Sequence, residues 1–318
     1  MSIQQVSVSK YEDPLFFGGS ATVPRPADMQ NDDFVVIWVG GFEEDGVVWS
    51  DQSWTLPAGF SVAQGQTTDS QSVAVMAVKR IEDISSEPAD YTFTTNRNWS
   101  LTAIAIAYRG VDELAPFSCE ASTNVSGGSA TINFPDGQPA TDADIYLAFY
   151  SRVRNEPVSW NPRLDENPEI ERARTGCDTS AVNCTRTAAA SFVTGTTDLI
   201  TGQTATHNSR RYQTGSIVLH AAALPGITIT DIKEPNEPNT PVDGITNARV
   251  KVWSGSDDTG AEDELHLNQT ITNGSLTTVL DSGAIDADVV VTVDWDAGGG
   301  EHNFFRYQTT VIDLDAED

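Results

Sequence analysis

Short apolar runs closed off by turn residues recur along the whole chain, and no stretch sustains a 3.6-residue apolar period with a cap. Residues 34–39, 72–78, 101–108, 130–134, 145–150, 186–192 and 215–220 are rich in Val, Ile, Ala and aromatic side chains. Each run is bounded by Gly, Pro, Asn, Asp or Ser, the residues that end strands. Several runs alternate small and large residues, which suits sheets packed face to face with one side of each buried. Residues 164–174 are the best helical candidate, and that stretch is short and uncapped. The expectation is therefore an all-β chain. Eight or so antiparallel strands over residues 1–225 predict a jelly-roll-like β-sandwich.

The chain divides once. After Pro225-Gly226 comes a polar stretch carrying Pro235, Pro238 and Pro241, which favours stiff extended chain over helix or central strand. Residues 226–244 are expected to form a Pro-rich linker. Residues 245–318 repeat the strand pattern on a smaller scale, with runs at 248–253, 264–272, 277–280, 289–295 and 304–314. Asn273-Gly274 and Gly298-Gly299-Gly300 supply turns with positive φ. This spacing predicts a smaller immunoglobulin-like β-sandwich, without the paired cysteines of antibody domains, in which Trp253 or Trp295 is the core aromatic. No internal repeat and no low-complexity tract is legible in the residues.

Charge narrows the partners. The chain carries 46 Asp+Glu against 18 Lys+Arg, a net charge of −28. A nucleic-acid or anionic-lipid partner is excluded, because binding a polyanion begins with Lys and Arg on its phosphates. No run approaches the roughly 18 apolar residues of a membrane-spanning helix, and Met-Ser-Ile-Gln-Gln does not open a secretory leader. Asp outnumbers Glu 29 to 17, and only four of the cations are lysines: Lys10, Lys79, Lys233 and Lys251. Such a surface repels itself in dilute salt and is screened in brine. The composition resembles proteins of halophilic archaea and their viruses; the alternative is an ordinary acidic protein from a marine source. Residues 226–318 hold net −15 against −13 for the longer first part, so the C-terminal part is the more strongly charged.

Few residues suggest chemistry. His207, His220, His266 and His302 are scattered, with no spacing that pairs two as metal ligands, and no nucleophile motif accompanies them. Ca²⁺ takes six to eight oxygens from a flexible loop. The densest carboxylate clusters that could offer them are Asp257, Asp258, Glu262 and Asp263, and then Asp294 and Asp296 beside the glycine turn. In a chain so acidic, diffuse counter-ion binding explains the same clusters, and no cofactor is required. Cys177 and Cys184 are close enough in sequence to form a disulfide, with free thiols the alternative, while Cys119 reads as a small buried hydrophobe. Trp49, Trp99 and Trp160 are candidate platforms for a sugar ring, although tryptophans in sandwiches more often belong to the core. A glycoside hydrolase needs two carboxylates about 5–9 Å apart in a cleft, which sequence cannot display.

A resemblance rests on four segments: Trp54-Thr55-Leu56-Pro57-Ala58-Gly59-Phe60; the strand Val73-Ala74-Val75-Met76-Ala77-Val78-Lys79; Tyr91-Thr92-Phe93-Thr94; and Ala105 to Asp112, followed by Pro116-Phe117. Their order resembles jelly-roll virion surface proteins of tailed viruses, of the decoration, turret or fibre type, over residues 34–117 and more weakly to about 222. Residues 248–315 are similar to the immunoglobulin-like modules appended to such proteins. The resemblance implies a non-enzymatic structural virion protein made in the host cytoplasm and placed on the virion surface, of a virus that infects a halophilic archaeon. It also implies a symmetric homo-oligomer, trimer or pentamer, in contact with major capsid or tail proteins. The other reading is a carbohydrate-binding adhesin or receptor-binding fibre module that uses Ca²⁺ and meets a host surface glycan. Within the motif, Gly110 is expected to turn the chain, with Arg109 and Asp112 latching that turn.

Overall fold

An apolar run without polar alternation needs cover on both of its faces, and Phe34–Phe42 has it: all nine residues of this strand, β3, are buried in the computed structural model. The structure describes residues 3–12, 19–42, 53–66, 72–96, 100–119, 123–153, 159–161, 173–175, 185–222, 226–234, 237–254, 264–279, 288–296 and 302–310. Among these there is no helix, and every strand pairing is antiparallel. The chain is all-β. It forms two units, Ser2–Ala222 and Ala223–Asp318.

In the first unit β3 is the central strand of a five-stranded sheet. The order is β1 (Gln4–Glu12), β8 (Ser100–Arg109), β3, β6 (Ser72–Arg80), β5 (Ser61–Gln66). A second large sheet runs β10 (Thr123–Asn133), β15 (Thr204–Leu219), β11 (Ile145–Val153), β14 (Thr185–Val193), β13 (Ala173–Thr175). Two short strands, β9 (Phe117–Ser118) and β12 (Ser159–Asn161), also pair with β15. The inner faces meet in one core, where Phe34, Val36, Trp38, Ile104 and Ile106 face Leu147, Phe149, Ile217 and Leu219. The outer face of β3 (Val35, Ile37, Val39) lies under a three-stranded sheet of β2 (Ser20–Pro24), β7 (Asp90–Thr95) and β4 (Trp54–Thr55), through Val23, Tyr91 and Phe93. The outer face of the second sheet is closed by Ile132, Phe134 and Ile200 over Tyr146, Ala148 and Tyr150. Full burial of one such side chain contributes about 1.5–3 kcal/mol.

The expected sandwich is present, and each run named for the first part lies in a strand or ends one residue beyond it. Strands do not alternate between the sheets along the chain. The first large sheet and its three-stranded cover come from β1–β8, and the second large sheet comes from β9–β15. Most of the helical candidate 164–174 lies outside the described residues, and Ala173 and Arg174 are in β13. A repeat that the residues do not reveal is present in the topology: β1-β8-β3-β6-β5 and β10-β15-β11-β14-β13 are the same order of strands. The register matches as well. Phe34 pairs with Arg80 and Tyr108, and Ile145 pairs with Val193 and Leu219.

In the second unit β19 (Ile245–Ser254) and β22 (Asp288–Asp296) are the inner strands of a four-stranded sheet, flanked by β20 (Glu264–Ile271) and β23 (His302–Thr310). A two-stranded sheet of β16 (Gly226–Ile229) and β21 (Leu276–Val279) packs on it, with Ile229 and Leu276 against Val250, Val252, Val291 and Trp295. Trp295 is the core aromatic here, and Trp253 is also buried. Asn273 and Gly274 adopt the expected positive φ, 48° and 71°. Residues 226–244 differ from the expected linker. They contain β16 and the hairpin of β17 (Lys233–Glu234) and β18 (Glu237–Pro241), and they bury Ile229, Ile232 and Val242 completely. Prolines are tolerated on an edge hairpin, so they marked a sheet edge rather than a free tether.

Candidate functional site

Each large sheet of the first unit is pinned by one buried aspartate, set immediately before its central strand. Asp33 precedes β3, and its Oδ2 accepts the Gln30 N–H at 2.8 Å, closing a tight turn. Arg109, the last residue of β8, donates from Nε to Oδ1 and from Nη2 to Oδ2, both at 2.9 Å. This two-pronged geometry is the strong form of the carboxylate–guanidinium pair. Asp144 precedes β11. It accepts the N–H of Ala140 (2.7 Å), of Thr141 (3.1 Å) and of Ala221 (2.9 Å), together with the Thr141 hydroxyl (2.7 Å). The His220 Nδ1 lies 2.8 Å from its Oδ2. Neither aspartate side chain has any exposed surface.

Burial alone pushes the Asp144 carboxyl up. The hydrogen bonds from the Ala221 N–H, His220 and Thr141 outweigh burial and hold it below the ordinary 3.8. A carboxylate whose folded pKa is depressed stabilises the fold above its unfolded value and loses that contribution as pH falls through the folded one. Acid titration of the protein is thus expected to lower the melting temperature from just below pH 4 downward. An Asp144→Asn variant is expected to show a shallower acid limb, and superimposable limbs would remove Asp144 from the acid response.

Asp144 with His220 has the make-up of a dyad that orients an imidazole. Among the described residues no hydroxyl or thiol donates to the His220 ring, so the pair fastens a strand end. No local motif marks the role of His220 in the sequence, because its partner lies 76 residues away. The signal was Asp33 and Asp144 themselves, each an acid set directly against an apolar run.

A second buried polar group lies between the two large sheets. Trp38 Nε1 donates to Ser151 Oγ at 2.8 Å, Ser151 meets Thr187 at 2.7 Å, and Thr187 meets Thr102 at 2.6 Å. Gln213 Nε2 donates to Ser72 Oγ at 2.9 Å. The indole N–H and the three hydroxyls of Ser151, Thr187 and Thr102 satisfy one another between the sheets, as buried polar groups usually do.

The predicted site residues fare unevenly. Asp257, Asp258, Glu262, Asp263, Cys177, Cys184, Trp49 and Trp99 lie outside the described residues. Asp294, in β22, is held by Arg249 Nε at 2.5 Å across the sheet. Asp296 ends β22, and Trp160 lies in β12 opposite Ala205, with neither side chain among those described. Among the described residues no three His, Cys, Asp or Glu side chains come together as a metal site. Trp54 packs against the core beneath the three-stranded sheet. Cys119 is partly buried, with Sγ 3.3 Å from the Ala63 carbonyl oxygen. The expected Arg109–Asp112 latch is not formed. Arg109 turns to Asp33, while Asp112 Oδ1 accepts the N–H groups of Leu114 and Ala115. Gly110 does turn the chain, with φ 78°.

The fold and these fastenings define an all-β antiparallel sandwich protein whose buried charges join strand ends. Comparison with protein-family profiles, with curated proteins and with solved structures finds no match.

Proposed function

We propose that this chain is a structural component of a tailed-virus virion, exposed on the particle surface as a capsid turret, decoration protein or tail appendage, and assembled as a symmetric homo-oligomer. One observation carries the reading: among the described residues of the first unit, the buried acids and the buried hydroxyls between the sheets serve as internal fastenings. The two buried aspartates hold strand ends, and the buried hydroxyls hold the sheets to each other. A closed three-layer block of this kind suits passive assembly, and its mechanism is association rather than turnover. The resemblance of residues 34–117 to virion surface proteins points the same way, as does an acidic surface suited to brine. On this reading no cofactor is needed. Particles purified through a gradient and washed in concentrated salt should contain the chain at a fixed ratio to the major capsid protein by mass spectrometry. Its absence from washed particles overturns the assignment.

Salt adaptation has its own test. With net charge −28, self-repulsion acts over a Debye length of about 10 Å at 0.1 M salt and about 3 Å at 1 M. Calorimetry is expected to find a clearly lower melting temperature in ~0.1 M than in ~2 M salt, because screening weakens the self-repulsion. A melting temperature indifferent to salt would mean that the acidity serves something else.

A further inference from the structure

The two large sheets of the first unit share more than their order of strands. Four pairs of residues stand 111 positions apart and do the same thing in each sheet. Asp33 and Asp144 are the buried acids, and Arg109 and His220 are the groups that meet them. Phe34 and Ile145 open the central strands, and Tyr108 and Leu219 pair with them. The turn before each acid is the same as well. The Asp33 N–H reaches the Gln30 carbonyl and the Asp144 N–H reaches the Thr141 carbonyl, both at 3.4 Å. The acids' own carbonyls then accept from Ile81 and Thr194, at 2.9 and 2.8 Å. Even an irregularity recurs. The β1–β8 register slips by one residue between Gln5 and Ser7, and the pairing of β9 and β10 with β15 slips by one between Ser118 and Thr123. The outer layer follows: β2 pairs with β7 as the end of β10 pairs with the start of β15.

The contact between the sheets obeys the same relation. Trp38 stacks on Phe149, with ring centroids 5.8 Å apart and planes 9° apart, and these residues are also 111 positions apart. A Cβ added to Gly40 would lie 1.9 Å from the Oγ of Ser151, again its counterpart. Away from these self-matching contacts, the relation comes in pairs. At the level of strands, β8 meets β14 through Thr102 and Thr187, and β15 meets β6 through Gln213, the counterpart of Thr102, and Ser72, two residues along β6 from Ala74, the counterpart of Thr187. In a two-fold interface residue i meets j and j meets i, and residues on the axis meet their own counterparts.

We infer that residues 3–111 and 117–222 are two copies of one module, and that the inner face of each is a self-recognition surface whose fitting partner is a second copy of that module. The first unit is then a dimer made within one chain. The copies have since become complementary rather than identical. Gly40 leaves the space that Ser151 fills, and the Trp38 indole donates to that same hydroxyl. The connection between the copies is short and exposed at Leu114, and beyond it Val111 bridges Ala221, so the ends of the two copies lie side by side.

The test cuts the full chain. A site-specific protease sequence inserted after Leu114 separates the copies, and one inserted after Ser86, in an exposed turn, divides the first copy. With the Leu114 cut, the fragments are expected to co-elute in molar salt as one complex of uncut size. They are also expected to recover that complex after unfolding and dilution. The Ser86 cut is expected to recover at least tenfold less. Dissociation of the Leu114 fragments under native conditions, or equal recovery from both cuts, overturns the inference. Exchange of the two basic side chains, Arg109 and His220, tests the equivalence without cutting. Arg109→His and His220→Arg give each copy the other's group and should melt within a few degrees of the parent, whereas Arg109→Ala and His220→Ala should melt clearly lower. Exchanges as damaging as the alanines would show that the two positions are not counterparts.

Discussion

Replacing Asp144 with alanine is expected to cost about 3–5 kcal/mol, because it strands several buried or part-buried donors at once, each worth about 1–3 kcal/mol. The carboxylate receives five hydrogen bonds, three from backbone N–H groups and one each from Thr141 and His220. Alanine reaches none of these donors. The Ala221 N–H is buried, and a buried donor left unpaired costs about 1–3 kcal/mol by itself. Domains are stable by only about 5–15 kcal/mol, and a unit of this size shifts its melting point by roughly 2–4 °C per kcal/mol. The variant should therefore melt about 10 °C below the parent at neutral pH. The gap should narrow as pH falls below 4, because the parent then loses the same contribution. A difference under about 0.5 kcal/mol, the usual surface value, would mean that the turn and strand end hold without the acid.

Trp38→Ala is expected to cost a comparable 3–5 kcal/mol, the range for emptying a large aromatic site in a core. The indole is fully buried between the large sheets, stacked on Phe149 and bonded to Ser151. Its neighbours are small in order to admit it. A Cβ on Gly215 would come within 2.5 Å of the indole ring and 2.6 Å of Gln64 Oε1. Gly215→Ala alone should destabilise by about 1–3 kcal/mol through overpacking. In the Trp38→Ala background its effect should fall by at least ~1 kcal/mol, since residues sharing a cavity couple. Denaturant unfolding of the four proteins closes this cycle, and strict additivity would place Gly215 outside the space that Trp38 fills.

The nature of the strands was legible because it is local. Runs such as 72–78 and 145–150 combine β-branched, small and aromatic residues between turn formers, and that pattern suits an extended chain in any context. Asn273-Gly274 was legible for the same reason, since its positive φ belongs to two residues alone. The 226–244 segment was misjudged because its prolines and acids are conspicuous, whereas Ile229, Ile232 and Val242 matter only once a core exists to receive them. The acid pairs stayed hidden because Asp33 and Arg109, like Asp144 and His220, are each 76 residues apart. The duplication escaped notice because a buried position specifies volume and polarity, not identity. Phe34 and Ile145, Trp38 and Phe149, and Tyr108 and Leu219 are acceptable exchanges in a core.

The sequence by itself determined that the chain folds as antiparallel sheet, where it turns, and how much negative charge its surface carries, because each follows from neighbouring residues or from composition. Which strands pair, which acid meets Arg109 and which meets His220, and that two halves with little visible likeness close on each other as counterparts were decided only in the tertiary structure. Those choices depend on complementary shape and buried charge between residues that are far apart until the chain has folded.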